Sequence, residues 1–424
     1  MALNDEELNR RREERKQEKA FADKQMRLLK IGAIMTAVVM VICVAAILVT
    51  GGMVSKPQME ASAPTEPSVP AEPTVPTEPK PTVPDTVIHY LAGGNVNVTD
   101  KIVSAGLSGG GYDYTGLFMD LAGVMSGSQL TSVNFEGNVF GEKYGSESAC
   151  APTQLLTALR NAGVDIIQTA NSYTVHNGLR GLTSTLDAVR NAGMEPVGSF
   201  ADQAEFDRTR GFIIREVDGI KIAVVAFTKG MNGMGLPQGG FVNLLYKDFS
   251  TTYQKVDSEG ISKILRNISY EQPDITIALV HWGSENYDDI SQTQEQIREL
   301  LLSGGVDAII GTHPHYVQKI TQDAQGRVVA YSLSDLVGDG TKYSVLLDLE
   351  ITKDGDTGAV RITGYDYVPV YYADERETGG TARLLRIREA MAAYENNFVD
   401  KVSKETYEAM KFALERIEAR VNGK

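Results

Sequence analysis

The chain is poor in the residues that staple, punctuate or arm a fold. Only two cysteines occur in 424 residues, Cys43 and Cys150. Cys43 lies inside the one long apolar run, so the pair cannot join within a chain and the exported part is expected to fold without disulfides. Positive charge is also short: 41 Lys and Arg face 55 Asp and Glu, for a net charge of −14. An acidic exterior excludes nucleic acid as a partner and disfavours docking on anionic lipid. Proline is thin outside one stretch, since nine of the 15 fall between Ser55 and Asp85. No Gly-Lys-Ser/Thr follows the glycines of Ser108-Gly109-Gly110-Gly111, which excludes a P-loop there. Histidine is scarcest among the versatile side chains, with five in all, yet His281, His313 and His315 fall within 35 positions of one another.

Three segments precede the bulk of the chain. Residues 1–30 are densely charged, with nine Lys or Arg against seven acids. Residues 31–54 then run 24 positions without a charge, more than the ~20 needed to cross a hydrocarbon core. Basic residues gather before this run and only Lys56 follows closely, so the N-terminus is predicted to stay cytoplasmic. A cleaved signal peptide fits less well: the charged region is too long and no A-x-A site ends the run. The run reads as a signal anchor, a single transmembrane helix. In residues 55–85, Pro64, Pro67, Pro70, Pro73, Pro76 and Pro79 recur every third position. That spacing favours polyproline II, and at ~3.1 Å per residue it makes an extracellular spacer of up to ~90 Å. The remainder is thereby expected outside a cell membrane, tethered by one pass.

Residues 86–375 read as one α/β domain, and 376–424 as a C-terminal helical extension. Strands are predicted at 87–92, 130–135, 164–167, 274–280, 306–310, 328–333 and 343–351, with helices at 152–162, 178–192 and 290–303. Asp218-Gly219 between two apolar runs signals a hairpin, and Asp354-Gly355 another. Alternating helices and strands mean α/β, and the hairpins make the sheets mixed.

The histidines sit where such a fold binds ligands. His281 follows the run Ile275 to Val280, while His313 and His315 follow Ala308-Ile309-Ile310. Ligands of open α/β sheets bind outside the carboxyl ends of strands, and neutral imidazole is the commonest protein metal ligand. The pattern points to a metal or anion site. The plainer alternative is that His313 and His315 only brace a tight turn around Pro314.

Five motif regions carry a family resemblance: Asn134-Phe135-Glu136, Ala170-Asn171-Ser172-Tyr173, His281-Trp282-Gly283, Gly311-Thr312-His313-Pro314-His315 and Ser332-Leu333-Ser334-Asp335. In order and spacing they resemble CapA-type capsule and poly-γ-glutamate synthesis proteins, over about residues 86–375. The resemblance implies a metallophosphatase-like layered fold, with mixed sheets packed between helices. It implies metal ligands at Glu136, His281, His313 and His315, with His281 and His313 as the candidate catalytic residues. Asn95, Asn134, Asn171, His176 and Trp282 are the candidate site-lining residues. It implies one divalent cation, zinc or manganese, or none. The implied partners are an anionic cell-surface polymer and other membrane proteins of capsule synthesis.

The departures are as specific as the matches. The family opens with Gly-Asp where this chain has Gly94-Asn95. Its Ala-Asn-Asn-His, with a following Asp, becomes Ala170-Asn171-Ser172-Tyr173 with His176. Its Ser-Leu-Gly-Asn-Phe becomes Ser332-Leu333-Ser334-Asp335-Leu336. Two divalent ions ~4 Å apart repel by on the order of 16 kcal/mol at an effective dielectric of ~20. With Glu136 the only carboxylate at an implied ligand position, the site is expected to be charge-deficient and to suit one metal rather than two. Three functions stay open: polymer synthesis, export or trimming at the cell surface; metal-dependent hydrolysis of γ-glutamyl or phosphoester bonds; and an inactive binding module.

Overall fold

The structure is a computed structural model and describes residues 83–397 and 402–423. The charged N-terminal segment, the apolar run at 31–54 and nearly all of the proline-rich spacer lie outside the described residues. Among the described residues no helix is long and apolar enough to cross a membrane.

In chain order the strands are β1 (Thr86–Asn97), β2 (Leu107–Ser108), β3 (Gly111–Tyr112), β4 (Leu130–Glu136), β5 (Ile166–Gln168), β6 (Glu195–Val197), β7 (Ser199–Phe200), β8 (Phe212–Val217) and β9 (Ile220–Thr228). There follow β10 (Phe241–Val242), β11 (Ile275–His281), β12 (Ala308–Thr312), β13 (Ile320–Gln322), β14 (Val328–Ala330), β15 (Asp335–Val337), β16 (Tyr343–Lys353), β17 (Val360–Ala373) and β18 (Arg383–Arg386). Fourteen of these build two large sheets. The first runs β18-β17-β16-β1-β4-β5-β6, with the short β15 also paired to β1. The second runs β13-β14-β12-β11-β9-β8. Both are mixed: β1, β4, β5 and β6 are parallel while β16 joins β1 antiparallel. In the second sheet β9, β11, β12 and β14 are parallel, and the Asp218-Gly219 hairpin makes β8 antiparallel to β9. Asp218 and Gly219 both take positive φ, 50° and 73°, as that type of two-residue turn requires.

Side chains alternate across a strand, and here the alternation assigns the layers. Ile88, Tyr90 and Ala92 of β1 meet Ile222, Val224 and Ala226 of β9 and Ile277 and Leu279 of β11 in one central core between the sheets. The intervening residues Leu91, Val133 and Phe135 pack outward on helices through Ile102, Phe118, Leu155 and Leu159. Likewise Val225, Ala278, Val280 and Ile309 cover a helical layer through Ile261, Leu265, Ile297 and Leu301. The order is thus helix, sheet, sheet, helix, with two mixed sheets between helical layers. Both faces of the central strands are buried, which is why they read as continuous apolar runs.

The Asp354-Gly355 hairpin leads, as its sequence signals, into the 14-residue β17, antiparallel to β16. Two expectations need correction. Residues 328–333 are strand only to Ala330, because the chain then turns so that Leu333 N reaches Gly311 O. The segment beyond 375 is not helical alone: Arg383–Arg386 pairs with β17 as an edge strand. Its last helix, Lys404–Val421, presses Met410, Ala413, Ile417 and Val421 into the central core.

Candidate metal centre

The site forms where the carboxyl ends of both sheets meet. On the first sheet, β1 slips register against β4 between Ala92 and Asn95. Gly94 permits this because a Cβ there would lie 2.0 Å from Ser334 O. The slip sets Asn95 abreast of Asn134 on one side and Asp335 on the other. Their side chains bond in a row. Asn171 Nδ2 donates to Asn134 Oδ1 at 3.1 Å, and Asn134 Nδ2 to Asn95 Oδ1 at 2.8 Å. Asn95 Nδ2 then donates to Asp335 Oδ1 at 2.9 Å. Glu136 lies two residues beyond Asn134 and so points to the same face.

The second sheet supplies the imidazoles. His281 ends β11, with Nδ1 3.1 Å from Thr312 Oγ1 and Nε2 2.9 Å from Ser172 Oγ. His313 and His315 leave β12 around Pro314 with φ of 97° and 59°, conformations that cost of order 1–3 kcal/mol each outside glycine. Neighbouring Ser334 is also at positive φ, 69°. Such a cluster of strained non-glycine residues marks functional sites more often than plain turns. The ring centroids of His281 and His313 are 4.5 Å apart, and those of His313 and His315 are 6.2 Å apart.

Electrostatics distinguish the members. Glu136 is 1% exposed, and Oε1 lies 3.3 Å from His281 Nε2. That approach is a charge contact, because neither carboxylate oxygen has a well-aligned hydrogen-bond donor. Burial alone would raise its pKa, but His281, His315 and the Ser172 hydroxyl together hold it below the usual carboxylate value. Burial, helped by the charges of His281, Lys229 and His315, drives His313 well below the usual imidazole value, so it is neutral. Burial also opposes charge on His315, yet the 2.7 Å bond from Nδ1 to Asp335 Oδ1 and the Glu136 charge lift its pKa to about 9.

Two sets of ligand atoms each lie within 4.8 Å of one another: Glu136, His281 and His313 in one, and Glu136, His315 and Asp335 in the other. Glu136 belongs to both. A buried carboxylate that its neighbours hold ionised, with no well-aligned hydrogen-bond donor on either oxygen, is a ready ligand for a cation. Mixed imidazole and carboxylate donors suit zinc, manganese or iron. The residues present therefore fit a divalent ion.

The implied ligands Glu136, His281, His313 and His315 come together, with Asn95, Asn134 and Asn171 beside them. Two other expected site residues do not. Trp282 is fully buried and faces away, its indole stacked on Tyr331 and its Nε1 donating to Tyr331 O at 2.8 Å. Adjacent strand-end residues point oppositely, so placing His281 in the site sends Trp282 into the outer core. His176 is carried off by the turn after Asn171 and lies 3.3 Å from Glu147 O, beside Tyr173 rather than the cluster.

The charge-deficient site is also corrected. Asp335, taken from the sequence as a lost motif position, is a second buried carboxylate within the cluster. Ser172 was likewise missed, though its hydroxyl lies between His281 and His313. Burial and the Glu136 and Glu285 charges raise the Tyr173 phenol pKa, so it stays protonated. A cavity of about 240 Å³ opens above His313 and Ser172.

The chain is similar to several known proteins. The chain is 25% identical over 256 residues to the capsule biosynthesis protein CapA of Bacillus anthracis, covering 58% of this chain and 59% of that one. It is 26% identical over 212 residues to the PGA biosynthesis protein CapA of Bacillus subtilis, covering 49% and 52%. The chain thus spans little more than half the length of these relatives. Among solved structures, a phosphatase from Mycoplasma pneumoniae aligns with a TM-score of 0.42 at 15% identity, over 69% of this chain and 96% of that one. A calcineurin-like phosphoesterase from Bacillus subtilis aligns with a TM-score of 0.41 at 15% identity, over 68% and 91%. The family model described as bacterial capsule synthesis protein PGA_cap matches residues 82–340, well over half of the chain, and the protein belongs to that family.

Proposed function

We propose that this protein acts at the cell surface in poly-γ-glutamate or capsule production. Its α/β domain would handle the anionic polymer from outside the membrane, tethered by the run at 31–54 and held off by the proline spacer. The observation that carries the reading is the buried Glu136 carboxylate, which has no well-aligned hydrogen-bond donor and is shared by two sets of nitrogen and oxygen donors. Glu136, His281 and His313 would hold a divalent ion, and Asp335 would orient His315 toward the second set. A carboxylate bonded to one imidazole nitrogen fixes the tautomer and leaves the other nitrogen free for a metal. Such an ion acts as a Lewis acid on a carbonyl or phosphoryl oxygen and lowers the pKa of bound water. His313 faces the cavity beside Ser172, so an ion held by it would be within reach of a group bound there.

A second reading, a polymer-binding module without turnover, is favoured by Tyr173, since a protonated phenol is a poor proton acceptor at neutral pH. Other membrane proteins of capsule synthesis are the proposed partners. The deciding experiment measures metal content of the purified full-length chain together with glutamate and phosphate release from poly-γ-glutamate and a phosphodiester. Metal with release at ~1 per second or more supports the hydrolase, and metal without release supports the binding module. A metal-free chain that takes up none on addition sinks the hydrolase and the metal centre. Added protease should digest the domain in intact, wall-stripped cells, and protection would refute the surface location.

A further inference from the structure

One cationic side chain in the cavity belongs to neither set of ligand atoms. Lys229 directly follows β9 and its backbone N–H donates to His281 O at 2.8 Å, which ties it to the strand end that carries the imidazole. Its ammonium is partly buried, donates to Gly283 O at 2.6 Å and lies 4.9 Å from the centroid of the Tyr253 ring. Among the described residues it has no salt-bridge partner. Lys229, Ser172, His313, Tyr253, Ser284 and Glu285 all line the same cavity of about 240 Å³. That volume lies below the ~300–1,000 Å³ of sites for drug-sized ligands, so it suits one small unit.

We propose that Lys229 is the specificity residue of this cavity, and that it takes a ligand carboxylate and sets that unit beside His313. An ammonium offers three donors and Lys229 spends one on Gly283. Partial burial with no ion-pair partner is costly to a cation. A ligand anion would relieve that cost. A second charge in the cavity selects among anions. Glu285 lines the same space, so a phosphate dianion would be repelled, whereas a unit bearing both a carboxylate and an amide N–H would satisfy both residues. The carboxylate would meet Lys229, and the N–H would meet Glu285 or the Ser284 hydroxyl. A γ-glutamyl unit has that chemistry. The inference rests on the reading of the site as a place where polymer is handled, and it names the residue that would hold the polymer's carboxylate.

The test titrates full-length protein, loaded with its metal, with a γ-glutamyl dipeptide and separately with inorganic phosphate, by calorimetry. Lys229→Met should weaken dipeptide binding by about 10- to 100-fold, as expected for a lost charge-assisted bond. Metal content should not change. Lys229→Arg should recover part of the affinity if the variant is folded. Glu285→Gln leaves the lysine intact and guards against misfolding of the Met variant; it should raise phosphate affinity relative to dipeptide. Unchanged dipeptide affinity in folded Lys229→Met would overturn the proposal, as would wild-type protein that prefers phosphate or binds no dipeptide. Those results would leave a metal-loaded cluster standing. Lysine-dependent dipeptide binding by a metal-free chain would instead sink the metal reading and keep this one.

Discussion

The two sheets bring different chemistry to the same place. The second sheet contributes nitrogen: His281 from β11, and His313 and His315 from the turn after β12. The first contributes oxygen and amide groups: Asn95 from β1, Asn134 and Glu136 from β4, Asp335 from β15. The nitrogen side keeps every histidine that the CapA-type resemblance implies. The oxygen side departs at Asn95, Ser172, Tyr173 and Asp335. The difference teaches that charge was moved rather than simply lost. Asn95 and Asp335 are partners in parallel register, bonded at 2.9 Å, so the carboxylate absent from one strand stands on its neighbour.

The sharpest way to break that comparison is Asn95→Asp alone. It would remove the amide donor and set two buried carboxylates against each other. Unfolding by denaturant, without metal, should show a loss of about 3–5 kcal/mol at neutral pH. The loss should shrink as pH falls, because one of two apposed carboxylates takes up a proton in the folded state at a pH where it is ionised unfolded. Asn95→Asp with Asp335→Asn should recover most of the stability, and a double variant as weak as the single one would refute the exchange of charge. Next in size is Glu136→Ala, the residue common to both ligand sets. Its affinity for divalent ions should drop more than ~100-fold, beyond the 10- to 100-fold typical of outer residues. A decline under tenfold by calorimetry would remove Glu136 from the centre.

Smaller effects separate site from scaffold on the nitrogen side. Trp282→Phe leaves the Tyr331 carbonyl without its donor and should cost about 1–3 kcal/mol in thermal or chemical unfolding, with metal content unchanged. A changed metal content would return Trp282 to the site. His176→Ala should stay within ~0.5 kcal/mol of the parent and bind metal equally well. Lost metal there would make His176 a ligand after all.

Much of this was legible in the residues alone, for reasons of range. Apolar runs such as Ile275 to Val280 determined their own burial, and the Asp218-Gly219 turn determined its hairpin. Placing histidines directly after buried strands determined that they would face a common edge. What needed the tertiary structure were pairings between distant segments. Asp335 meets Asn95 across 240 positions, and Ser172 meets His281 across 109. No local pattern encodes such contacts, since they depend on which strands lie side by side and in what register. Trp282 shows the same limit at short range: its proximity to His281 suggested a shared site, but alternation across the strand turned it the other way. The sequence by itself determined the donors of the nitrogen side and the α/β class. Only the packing of sheet on sheet decided which oxygens they meet, because register slips of one residue and turns at positive φ are set by contacts such as Gly94 against Ser334.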